Sequence, residues 1–266
     1  MQQHTSQRQA QSVMITGASS GIGLAIARAF ASAGCHLMIG GREAPEEVQT
    51  LLTELSIEGA KSVHYNNADM ADGEAVRAMV AAAHHQMGSL DVLVNNAGIQ
   101  HVAPVEDFPA NAWQQVIDIN LSAPFHAIAA AVPLMRDQGF GRIINIASVH
   151  GLVASVHKSA YVAAKHGLVG LTKTVALELA RTPVTCNAIC PAWVRTPLVE
   201  AQIEKRAADS GRSIAEEADL LVSEKQPTGR FVQPEDIAQM ALYLTQPAAS
   251  SISGSSFTLD GGWTAQ

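Results

Sequence analysis

The chain reads as one α/β domain, a single doubly wound (Rossmann-type) parallel sheet with helices on both faces. Three observations predict this. Short apolar runs alternate with helical stretches from residue 13 to residue 266, the pattern of a parallel sheet with crossover helices. A glycine-rich turn separates the first such run from the first helix, the setting in which such a turn binds a dinucleotide. Finally, 47% of the residues are apolar but only 5% aromatic. The core is therefore built from Ala, Val, Ile and Leu, which suits close packing of helices on a sheet.

Residues 1–12, rich in Gln and Ser, read as a loose tail, followed by one domain over 13–266. Residues 13–16 form a strand that runs directly into Gly17-Ala-Ser-Ser-Gly21-Ile-Gly23 and a helix at 24–33. Gly17 permits the turn, Gly21 lets backbone approach a pyrophosphate, and Gly23 lets helix and strand pack closely. The helix N-terminus then offers free N–H groups to phosphate. A plain βα turn is the alternative.

A second strand at 35–39 ends in Gly40-Gly41-Arg42. An acidic residue normally stands here to hold the adenosine ribose. Arg42 could stack on adenine, pair with a 2′-phosphate, or face solvent. A helix at 46–56 and a strand at 61–65 lead to Asp69, where an acid could meet the adenine amino group. A helix at 73–87 and a strand at 90–94 lead to Asn95-Asn-Ala-Gly98, a turn at the strand carboxyl ends where ligands bind. Residues 111–136 read as one long helix, kinked at Pro124 and Pro133 and carrying Asn120 in its middle. An Asn there is usually a solvated polar residue, although beside a site it can bind water.

The strand at 141–147 ends at Ser148, and the next helix carries Tyr161 and Lys165. Four apart, these two share a helix face. A phenol is a poor base at neutral pH, with an ordinary pKa of about 10. A neighbouring ammonium lowers it and makes a proton carrier. The hydroxyl of Ser148 could hold a substrate oxygen beside the phenol, equipment for interconverting an alcohol and a ketone. A packed ring and a solvated amine are the bland reading of the pair. A strand at 184–190, a charged helical lid at about 197–226, a helix at 234–245 and a strand at 255–259 complete the chain.

Net charge is −7 with no basic block, which argues against a nucleic-acid partner. Cys186 and Cys190 lie in an extended run, roughly 13 Å apart, too far for a disulfide. With Cys35 as the third cysteine, a reduced, cytoplasmic setting is expected. No signal peptide is visible, and no uncharged apolar run reaches the ~18 residues of a membrane span. No metal is expected.

Thr16-Gly-x-x-x-Gly-x-Gly23, Asn95-Asn-Ala-Gly98, Asn120, Ser148, Tyr161-x-x-x-Lys165 and the Pro191 segment stand in the order seen in the short-chain dehydrogenase/reductase family. The resemblance covers about residues 12–266. It implies Tyr161 as acid/base, Ser148 orienting the reacting oxygen, Lys165 binding the nicotinamide ribose and lowering the pKa of Tyr161, and Asn120 holding a water that passes the proton to solvent. The implied cofactor contacts begin with Gly17, Ser19, Ser20, Gly21, Ile22 and Gly23. They continue through Arg42, Asp69, Met70, Asn96, Ala97 and Gly98, and end with Tyr161, Lys165, Pro191, Val194 and Thr196. One departure is Ala192, where the family commonly has Gly; a negative φ would tolerate the methyl.

Residues around this frame narrow the resemblance to family members acting on short 3-hydroxy acids. These are Gln100, His150, Lys158, Trp193, Gln202 and Trp263, together with Lys225-Gln-Pro227. The implied carboxylate ligands are Gln100, His150, Lys158 and Gln202, with Trp193 and Trp263 walling the methyl end. The implied reaction interconverts (R)-3-hydroxybutyrate and acetoacetate with NAD, in a homotetramer. Lys158, just before the catalytic helix, suits a charge-assisted hydrogen bond to a small acid. Singly, these residues also read as a solvated amine, a core histidine, surface amides and ordinary packing. The rivals are an NADPH-dependent 3-ketoacyl thioester reductase, whose substrate offers Lys158 no carboxylate, and a non-catalytic nucleotide-binding regulator.

Overall fold

The computed structural model describes residues 11–266. The expected tail therefore lies outside the described residues, apart from its last two positions. Of these, Ser12 already opens the first strand.

Seven parallel strands form one sheet in the order β3-β2-β1-β4-β5-β6-β7. The first half comprises β1 (Ser12–Ile15), β2 (His36–Gly40) and β3 (Ser62–Asn66), linked by α1 (Gly21–Ser32) and α2 (Gln49–Ile57). After α3 (Gly73–Met87) the chain returns to the centre, and β4 (Val92–Asn95) pairs with β1 on the side away from β2. This reversal opens a crevice between the ends of β1 and β4, where a doubly wound sheet binds ligands.

Alternating side chains feed two cores, as the period of a strand requires. Val13, Ile15, Leu37, Ile39, Val92 and Val94 pack against α1 and α9 (Pro234–Thr245). Met14, Met38, Leu93 and Ile143 face α3 and the helix that follows β4.

That helix differs from the expected continuous, proline-kinked rod over 111–136. It is α4 (Ala110–Ile117), a π-turn (Asp118–Ser122) and α5 (Ala123–Asp137). Pro124 sits in the first turn of α5, directly after the π-turn. The break in the middle is the π-turn around Asn120, a kind of turn that recurs at functional sites, and Pro133 lies inside α5. By length and hydropathy the stretch Ala110–Asp137 could also cross a bilayer, although Asp118 and Arg136 keep it from being an uncharged run of that length. Here its Ala127, Ile128, Ala131 and Met135 are core residues.

The second half is β5 (Gly141–Ile146), α6 (Ser159–Glu178), β6 (Val184–Pro191) and β7 (Ser256–Leu259). The stretch expected to form a helical lid folds as two helices, α7 (Pro197–Ser210) and α8 (Ile214–Ser223). Gly211 ends α7 at φ 74°, and Ser213 with Glu216 makes a reciprocal cap on α8. The hairpin has its own small core of Val199, Ile203, Ala218 and Leu221. The buried carboxylate of Glu217 ties it together, meeting Arg206 and Arg212 at 3.0 Å each.

Candidate active site

The two turns at the crevice are stitched together. Thr16 Oγ1 accepts from the backbone N–H groups of Asn96 and Ala97, each at 3.0 Å. The Asn96 amide donates back to the carbonyls of Thr16 (2.9 Å) and Gly17 (2.8 Å). This closeness dictates the glycines. Gly17 adopts φ +62°, and a Cβ on Gly23 would lie 2.1 Å from the Gly17 carbonyl oxygen. Gly23 therefore acts by packing and does not line the cleft.

The cleft above this turn is lined by Gly17, Ser19, Ser20, Gly21 and Ile22, with Arg42, Asp69 and Met70 along one wall and Asn96, Ala97 and Gly98 along the other. Asp69 is exposed at the rim, its Oδ1 accepting from the Ala71 N–H. Ser20 precedes α1 without capping it, so its side chain leaves the N–H groups of the first turn to a ligand. A glycine cradle too tight for Cβ atoms and a free helix N-terminus fit a dinucleotide pyrophosphate.

Ile22, Asn96, Gly98 and Thr196 also border a second cavity, lined by Ser148, Tyr161, Lys165, Pro191 and Val194. Gln100, His150, Lys158, Trp193, Gln202 and Trp263 complete its wall. Apart from Gly23, the predicted cofactor and substrate residues thus line two cavities that share a border. The backbone of Ala192, also on the wall, is not left-handed, so its methyl is tolerated.

Burial governs the electrostatics of Tyr161 and Lys165. Lys165 Nζ lies 5.6 Å from the Tyr161 ring centroid and donates to the Ile146 carbonyl at 2.8 Å. Burial raises the phenol pKa above its ordinary value, and the hydrogen bond with Ser148 opposes that rise without reversing it. Burial brings Lys165 down to about 8. Desolvation thus sets the direction for Tyr161, while the Lys165 ammonium is turned to a backbone carbonyl.

His150 is a hub. Its backbone N–H donates to Ser148 Oγ at 3.1 Å, Nδ1 lies 3.3 Å from that oxygen, and Nε2 lies 2.9 Å from Ser155 Oγ. Its ring stands edge-on to Tyr161 and Trp263. Burial first, and then the charge of Lys158, push its pKa to about 4, so the imidazole is neutral at pH 7. Lys158 is 9% exposed, its Nζ 4.7 Å from the Trp193 ring centroid, and burial brings its pKa to about 8. It is not a solvated loop amine. The turn that delivers it runs through His157 at φ 63°, a left-handed non-glycine. The buried Nε1 of Trp193 has no hydrogen-bond partner, so this ring offers a donor as well as an apolar wall.

Asn120 does not line the cavity. It is fully buried, with Oδ1 accepting from the Ile99 N–H and Nδ2 donating to the Ile99 carbonyl, both at 2.8 Å. One donor and one acceptor position of its side chain are thus taken by backbone. Three partners escaped sequence reasoning. Asn145 joins Asn95 to Thr172 beneath the site, Ser155 orients His150, and Glu43 faces the cofactor cleft. Only Glu43 had a visible signal, an acid two residues past Gly41.

The family model for short chain dehydrogenases matches residues 11–207. The D-beta-hydroxybutyrate dehydrogenase of Rhizobium meliloti is 48% identical over 256 residues, covering 96% of this chain and 99% of the relative. The protein of the same name from Cupriavidus necator is 46% identical, covering 96% and 98%. The crystal structure of an actinorhodin polyketide ketoreductase with NADPH superposes with a TM-score of 0.90 at 36% identity, covering 97% of this chain and 98% of that one.

Proposed function

The chain belongs to the short-chain dehydrogenase family, and from that premise we propose that it interconverts (R)-3-hydroxybutyrate and acetoacetate with NAD. When bound, the dinucleotide supplies the hydride-accepting ring. The chain's own residues hold the other atoms. Ser148 Oγ donates to the substrate oxygen, and Tyr161 takes its proton during oxidation and returns it during reduction. Ser148, anchored by the His150 N–H, stays aimed at that oxygen. Pro191, Val194 and Thr196 hold the nicotinamide end of the cofactor.

The observation that carries the substrate reading is Lys158, a nearly buried ammonium in the same cavity as Ser148 and Tyr161. A buried charge without an anion is costly, so the cavity suits a ligand that brings a carboxylate. Gln100, Gln202 and neutral His150 stand on the same wall to complete its hydrogen bonds. Identity of 46–48% to two hydroxybutyrate dehydrogenases over nearly the full length supports this reading. A cytoplasmic homotetramer is part of the same proposal.

The ketoreductase likeness favours a second reading, reduction of a 3-ketoacyl thioester with NADPH. A panel of free 3-hydroxy acids and their thioesters, followed at 340 nm with each nicotinamide cofactor, separates the two. Preference for the free acid is expected, and preference for the thioester overturns the substrate assignment.

A further inference from the structure

At the adenosine end of the cleft, β2 closes with Gly40 and Gly41 instead of an acid. We propose that Glu43 takes over the missing acid's task, receiving the ribose hydroxyls of NAD and turning away the 2′-phosphate of NADP. This deepens the dinucleotide reading above and rests on it.

The geometry is specific. A Cβ built on Gly41 would lie 2.5 Å from Glu43 Oε2 and 2.8 Å from the Tyr65 hydroxyl. The carboxylate thus fills the volume into which a side chain at position 41 would grow, and Gly41 is the residue that leaves room for it. Three groups hold it there. Ser19 Oγ donates to Oε1 and the Arg42 N–H to Oε2, both at 2.9 Å. The Tyr65 hydroxyl donates to the Glu43 carbonyl at 2.8 Å and lies 3.4 Å from Oε2.

A carboxylate has about four acceptor sites; the two short bonds take one site on each oxygen, and a ribose hydroxyl would compete only with the long Tyr65 contact at 3.4 Å and the bond from Glu43's own amide. Burial alone would raise the carboxyl pKa, but hydrogen bonds from its own amide, Ser19, the Arg42 amide and Tyr65 outweigh it and lower the value. The group is charged at neutral pH. Tyr65, by burial and the adjacent Glu43 charge, is pushed up to about 12 and stays a donor. Glu43 lines the cleft with Gly17, Ser19 and Asp69, so a phosphate on the ribose would meet a fixed negative charge. Arg42, whose main chain serves Glu43, is exposed beside it and is the competing candidate as a phosphate partner.

The test is equilibrium binding of NAD and NADP to the purified full chain without substrate, read by calorimetry, for wild type, Glu43→Gln, Gly41→Ala and Arg42→Ala. Wild type should bind NAD at least about tenfold more tightly, because a like-charge contact is strongly disfavoured. Glu43→Gln should shrink that ratio about tenfold or more, chiefly by tightening NADP. Gly41→Ala, whose methyl displaces the carboxylate, should do the same, with an unfolding midpoint near wild type in both. Equal weakening of both dinucleotides in Glu43→Gln overturns the assignment and leaves Glu43 as a latch of the loop. Wild-type preference for NADP, lost in Arg42→Ala, overturns it as well. Neither result touches the substrate reading, which the acid and thioester panel decides separately.

Discussion

The side chain of Asn120 forms a closed pair of hydrogen bonds with the backbone of Ile99, one in each direction and both 2.8 Å long. The π-turn presents this side chain inward, and the pair pins the end of the turn that follows β4. That turn carries Asn96, Ala97 and Gly98 along the cofactor cleft.

Asn120→Ala should therefore act on stability and cofactor affinity together. It removes two hydrogen bonds to the half-buried backbone of Ile99, each worth about 0.5–1.5 kcal/mol net. Urea unfolding should show a loss of about 1–3 kcal/mol, and NAD binding should weaken. A variant with wild-type stability and reduced turnover would instead place Asn120 in proton transfer.

Tyr161→Phe should lower kcat by about 10² to 10⁴ while NAD affinity stays near wild type. The phenol carries the proton, and the ring packs against His150 in either variant. Retention of more than about a tenth of wild-type kcat would remove Tyr161 from the mechanism.

Lys158→Ala should raise KM for 3-hydroxybutyrate about ten- to a hundredfold, since a charge-assisted hydrogen bond is worth roughly 1.5–3 kcal/mol. Turnover of a neutral ester of the same acid should change little. Equal losses on acid and ester would mean that Lys158 serves folding or the Trp193 stack.

The same lysine sets a pH limb. With its pKa lowered by burial to about 8, Lys158 is charged below pH 8 and neutral above it. KM for the acid should be flat up to about pH 7 and rise above about pH 8, approaching tenfold per unit, and Lys158→Ala should abolish the rise. Stability moves the other way. Between about 8 and the ordinary 10.5 the unfolded chain binds the proton and the folded chain does not, so this group's contribution favours folding more as pH rises. A KM profile flat to pH 10 in the wild type would show that the lysine keeps its ordinary pKa.

Much of this molecule was legible as sequence because the informative signals are local. Strand, glycine turn and helix follow within a dozen residues of Val13, and Tyr161 and Lys165 share a helix face through a spacing of four. Periodicity and short-range sterics alone carry such patterns, so the sheet, its order of elements and most of the cleft residues were readable. The remainder depends on contacts between residues distant in the chain. Asn120 meets Ile99 across 21 residues, Glu43 meets Ser19 across 24, and Ser148 donates to the Pro191 carbonyl across 43. No spacing rule announces such partners. Burial likewise emerges only when the layers close, which is why Tyr161 is shifted upward despite its lysine neighbour and why Lys158 is a desolvated ammonium. The order of residues determined which groups could do chemistry; the closing of the fold determined which of them face a carbonyl, a carboxylate or an open cleft, because desolvation and long-range hydrogen bonds exist only in three dimensions.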